Sequence, residues 1–237
     1  AERTAIGDQQ DVVRAVLNQR AADAQAAAIL EGLTPGQRDV LVQAATAITN
    51  FNVYQAGAGA GTGQHGMAIT GSTITTLSVT ESCTGTLGVA MTSGATATVT
   101  TAKIAGGQVS IGPGTTLTTL LVSGGTCWNQ ANATTATAEE SGTLYEEKAA
   151  TVGTLNVFGT CYYNSSVTIT TLNCGGPLDF TQDARARVVT NTAQLYKGAD
   201  IKDPNGTVTW TAGLKLNRCS LKDVSLDLAK DKTWTPT

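Results

Sequence analysis

A single histidine, His65, stands in the stretch "GAGAGTGQHG", and two acidic pairs, Glu139-Glu140 and Glu146-Glu147, bracket "SGTLY". A histidine-based triad needs an imidazole held rigidly between a nucleophile and a carboxylate, and a Gly-rich stretch is the least rigid place for one. Two carboxylates can cut a glycosidic bond only when they face each other across it. Neighbours on a strand point to opposite faces, and the run "AEESGTLYEEK" reads as a solvated excursion from the body of the fold. No catalytic residue is assigned. Trp128, Tyr145, Tyr162 and Tyr163 are the candidates for glycan contact, because exposed aromatic rings suit sugar faces; an apolar cluster beneath the excursion is the plainer alternative.

The cysteines are Cys83, Cys127, Cys161, Cys174 and Cys219, with no C-x-x-C and no histidine partner, so a zinc site is not expected. Cys83, Cys127 and Cys161 follow the middle apolar position of their local repeats by six or seven residues, which places them in nearly one column. Adjacent rungs of such a column lie within disulfide reach and rungs two apart do not. Buried free thiols acting as small hydrophobes are the expectation for a chain made in a reducing cytoplasm. The glycines of "GAGAGTG" imitate a phosphate-cradling loop, but no strand-then-helix context surrounds them and no lysine follows. No cofactor is expected.

The scaffold for these residues is written as a rhythm. In "VTITTLNC" the apolar positions Ile169, Leu172 and Cys174 are spaced three and then two. The same spacing recurs at Ile74, Leu77 and Val79; at Val99, Ala102 and Ile104; at Leu117, Leu120 and Val122; and at Val152, Leu155 and Val157. Four of these five copies carry Thr-Thr in the gap. A bend at the threonines supplies the half-step that lets both strand pieces face one interior. A repeat of roughly 17 to 20 residues that turns a corner in each copy predicts a β-solenoid, mainly β in class, over residues 70–237.

Before the repeat, the chain changes character. Residues 1–50 carry an apolar stripe at helical spacing that includes Val12, Val16 and Leu17, then Thr34-Pro35 as a helix start, and a second stripe of Val40, Leu41 and Ile48. An N-terminal α-helical hairpin is predicted, followed by a Gly-rich neck over residues 51–69. The alanine-rich stripes bury little area by themselves, so these six residues are assigned to partner binding, by self-association or by docking. "LTPGQRDVL" resembles the entry to a helix-turn-helix, yet no basic recognition helix follows, and no nucleic-acid partner is expected. The formal charge of −3 gives no footprint for nucleic acid or an anionic membrane. No apolar run is long enough to span a bilayer, and "AERTAIGDQQ" lacks the regions of an export signal.

The helical base, the neck, and rungs such as "TVGTLNVFGT", "VTITTLNCGGPLDFT" and "DPNGTVTWTAGLKLNRCSL" together resemble the β-helical structural proteins of tailed bacteriophages: head fibres, decoration proteins and tail-fibre segments. The resemblance is one of texture and repeat and carries no site residue. It implies a non-enzymatic virion protein, a homotrimer, bound to a capsid or tail protein through its helices with the β-helix projecting. The alternative is a tail fibre or tailspike that binds host-surface glycan, or a polysaccharide depolymerase.

Overall fold

The computed structural model describes residues 40–42, 46–57, 65–148 and 151–229. They form a parallel β-solenoid in which each coil contributes to two sheets. Sheet A stacks β1 (Val40–Val42), β3 (Met67–Ile69), β5 (Thr86–Val89), β7 (Gln108–Ile111), β9 (Thr126–Asn129), β11 (Thr143–Lys148), β13 (Thr160–Ser165), β15 (Pro177–Asp179), β18 (Asp200–Asp203) and β21 (Ser225–Leu228). Sheet B stacks β2 (Ile48–Val53), β4 (Thr73–Val79), β6 (Ala97–Ile104), β8 (Thr115–Val122), β10 (Ala133–Ala138), β12 (Val152–Val157) and β14 (Ile169–Cys174). Its last two rungs are each broken in two, as β16 (Arg187–Val189) with β17 (Ala193–Leu195), and β19 (Val208–Trp210) with β20 (Leu214–Leu216).

The three-two spacing is the inner face of sheet B. Ile74 pairs with Val99 and that with Leu117; Leu77, Ala102 and Leu120 form the next column; Val79, Ile104 and Val122 form the third. All of these side chains are buried, as are Leu155, Val157, Ile169 and Leu172. Two consecutive residues between the first and second buried positions point outward in each rung, and Thr76, Thr101, Thr119, Thr135, Thr154 and Thr171 stack in register there. β-Branched side chains at that position suit the pleat and leave their hydroxyls wet. Replacing Leu155 by alanine is expected to lower stability by about 2–5 kcal/mol, since the side chain is wholly enclosed; urea unfolding of the pair measures it.

Successive coils touch at the corner that leads from sheet B into sheet A. A Cβ on Gly142 would lie 2.0 Å from the Val122 carbonyl oxygen, and one on Gly159 would lie 1.9 Å from that of Glu139. Only a residue without a side chain permits such an approach.

The second predicted helix is corrected by its described residues. Val40 and Leu41 lie in β1, paired with Met67 and Ala68, and Ile48 is buried in β2 against Ile74. The physical reason is that "ITNFNV" carries the same three-two rhythm at Ile48, Phe51 and Val53, so the apolar spacing serves the solenoid interior. Ile48 is therefore a core residue and not a partner contact. The first predicted helix, with Val12, Val16 and Leu17, lies outside the described residues, as does 58–64 of the Gly-rich neck. Among the described residues the one helical element is a 3-10 turn, Leu221–Asp223.

In the closing coils Trp210, Leu214 and Leu216 are the partners of Val189, Ala193 and Leu195, and Ala212 is exposed.

Candidate functional site: an aromatic ladder over a buried glutamate

β9, β11 and β13 lie side by side with no offset in coil length, so residues 17 apart stack directly. Trp128, Tyr145 and Tyr162 share one outward column. The Trp128 and Tyr145 rings stand 5.4 Å apart and 13° from parallel; Tyr145 and Tyr162 stand 4.6 Å apart and 14° from parallel. Rings in face contact are separated by about 3.5–4 Å, so these centroid distances require lateral slip. The rings overlap like roof tiles, each leaving part of one face and its outer edge uncovered. All three are half-buried. Burial first, then the neighbouring Tyr162 and Glu147, raises the Tyr145 phenol above its ordinary value, which keeps it a hydrogen-bond donor.

A polar row runs beside the tiles. Gln130 Nε2 donates to Glu147 Oε2 at 3.1 Å, and Asn164 follows Glu147 in register. Thr126, Thr143 and Thr160 form the row on the other side. Past Tyr162 the same column continues as Asp179, Lys202 and Asp227.

Directly beneath the tiles, on the inner face, Asn129, Glu146 and Tyr163 form a second column. Tyr163 is therefore corrected: it is fully enclosed, its Oη donating to the Val167 carbonyl at 3.0 Å, and it has no outer surface for a glycan. Adjacent residues on a strand face opposite ways, so Tyr162 and Tyr163 were never able to act together. "AEESGTLYEEK" is likewise not an excursion, because Thr143–Lys148 is a strand in the body of sheet A.

Glu146 is 0% exposed. Its Oε2 accepts from Asn129 Nδ2 at 2.8 Å, while Oε1 is enclosed with no hydrogen-bond partner. Burial pushes its carboxyl up to about 8, with the Asn129 hydrogen bond pulling the other way. Burial, and after it the Glu146 charge, also holds the Cys127 and Cys161 thiols well above the usual range. Glu147 faces outward and Glu139 and Glu140 are exposed in the preceding turn, so the acidic pairs place no two carboxylates on facing sides of a cleft.

Farther along the interior, Arg187 is only 2% exposed. Its guanidinium donates to the Tyr163 carbonyl at 2.6 Å, to the Arg185 carbonyl at 2.8 Å and to the Asp183 carbonyl, and it lies 5.5 Å from the Phe180 ring centroid. It ties the loop between β15 and β16 to the core. Sequence reasoning missed both Glu146 and Arg187 as interior groups. The signal for the first was available: Asn129, Glu146 and Tyr163 repeat the 17-residue interval of Trp128, Tyr145 and Tyr162.

Cys127 and Cys161 do share a column, with Leu144 in the rung between them, and Cys83 lies outside it in the turn before β5. All five cysteines are free thiols. His65 sits over Gly88, and among the described residues no group of three His, Cys, Asp or Glu side chains gathers where it could hold a metal ion. No protein-family model, curated protein or solved structure matches this chain.

Proposed function

We propose that the chain is a non-enzymatic structural protein of a tailed-bacteriophage particle, a capsid decoration or head-fibre protein whose solenoid projects from the surface as a homotrimer. The observation that carries this reading is the rod itself. Ten rungs of sheet A at about 4.8 Å make a stack of roughly 43 Å, with a continuous apolar interior from Ile48 to Leu214. A rod of local contacts tolerates being held by one end, and the segment before Val40, with Val12, Val16 and Leu17, supplies the attachment. Particles purified from an infected culture are expected to carry the protein, shown by mass spectrometry, with antibody label on their heads. Recovery of the protein only in the unassembled lysate would sink the assignment. Sedimentation is expected to give three times the 24.2 kDa chain mass; a monomer over a wide concentration range refutes the trimer.

The aromatic ladder favours a second reading, a fibre that contacts host-surface glycan. Three tiles flanked by amide, carboxylate and hydroxyl groups make a rigid amphipathic strip. The split of Glu146 and Glu147 across the sheet argues for binding and against cleavage.

A further inference from the structure

The ladder ends unevenly. On one side Tyr162 is followed by Asp179, and on the other Trp128 is followed by Ser110, a side chain too short to cover an indole face. One rung beyond Ser110 the column holds Gly88, and there the His65 imidazole occupies the space a side chain would take: a Cβ on Gly88 would lie 2.4 Å from His65 Cδ2 and 3.0 Å from its Nε2. The column therefore reads ring, gap, ring. Two rungs span roughly 9.6 Å, and two contacts at about 3.5–4 Å fit one puckered six-membered ring between Trp128 and the His65 imidazole.

The rim of the gap is polar and uncharged. Ser110 is its floor, Gln108 and Thr126 stand on one side, and Gln130 on the other. No lysine or arginine lies on β3, β5, β7 or β9, the strands that border the gap, to attract a phosphate, sulfate or uronate. A pyranose matches this frame, with C–H groups for the ring faces and hydroxyls for the rim.

We propose that the space over Ser110 binds a neutral pyranose, the terminal or branch residue of a surface glycan, seated between Trp128 and His65 as the next tile of the ladder. This rests on the glycan-binding reading of the ladder and is independent of the virion assignment.

Saturation-transfer NMR of the full chain with methyl glucoside, galactoside, mannoside and N-acetylglucosaminide tests it, using three variants. Ser110→Tyr fills the gap with a ring that extends the stack, and Trp128→Ala removes one wall; each is expected to weaken binding by roughly tenfold or more. Tyr162→Ala, at the far end of the same ladder, is expected to weaken it less than Trp128→Ala does. Absence of transfer to every sugar from the unaltered protein overturns both the site and the glycan reading. Binding that survives Ser110→Tyr, or that is lost only in Tyr162→Ala, keeps the glycan reading and overturns the site.

Discussion

Between about pH 5 and about pH 9 the protein is expected to lose on the order of 4 kcal/mol of stability through one residue, Glu146. In the unfolded chain this carboxyl ionises near its ordinary value, 4.5, whereas in the folded protein burial pushes it up to about 8. Across that window the folded state binds the extra proton, so stability is full below the lower value and declines as pH rises through the higher one. Asp183 and Asp223 act in the opposite direction, being held below the usual carboxylate range mainly by the Arg185 and Ser220 side-chain hydrogen bonds respectively. Their contribution is lost only in acid, below the Glu146 window. Glu146→Gln keeps an acceptor for Asn129 and removes the titration, at the cost of an amide donor where Oε1 has no partner. The expected result is a pair of crossing curves, with the variant slightly weaker near pH 5 and clearly stronger near pH 9. Parallel urea-unfolding curves for the two proteins over this range would falsify the placement of a lone carboxyl in the core.

Arg187→Met is expected to destabilise the C-terminal coils by about 1–3 kcal/mol. The substitution keeps apolar bulk beside Phe180 but strips the donor from the buried Tyr163 carbonyl, a loss of that order, while the Asp183 and Arg185 carbonyls on the exposed loop turn to water. Coils contact only their neighbours, so the loss is local. Hydrogen exchange should accelerate over 181–203 while β4 to β10 stay protected. Uniform acceleration along the whole chain, or none, is the outcome that contradicts the tie described here.

The sheet B core was legible because large β-branched and leucine side chains mark it in an unusual spacing. Where the same positions hold Ala133, Ala136 and Ala138, the rhythm persists in "ATTATA" but its apolar contrast fades, and that coil is invisible to a reader seeking large residues. Val40, Leu41 and Ile48 also satisfy a 3.6 period, and the alanines between them favour a helix locally. Pairing with β3 and β4, contacts far along the chain, decides for strand. The site was half legible. Aromatic type pointed to four residues, and only the coil length, known once the stack is seen, sorts Trp128, Tyr145 and Tyr162 outward and Tyr163 inward. Glu146 was read as part of a solvated excursion; burying a carboxylate is costly, and an acidic run of that kind hides the one member that is buried.

Among the described residues the rung-to-rung hydrogen bonds of both sheets point along the stack. Tension applied between its two ends therefore loads the rung interfaces in series, and the weakest one yields first. Those interfaces are unequal: β6 and β8 pair over strands of eight residues, while β16, β17, β19 and β20 offer three each. A rod of this build resists bending, since sideways force is shared among many bonds at once, yet pulled from its C-terminal end it should peel coil by coil. A single-molecule extension trace should then show a staircase of small steps that grow in force toward the middle of the stack, where the long strands hold.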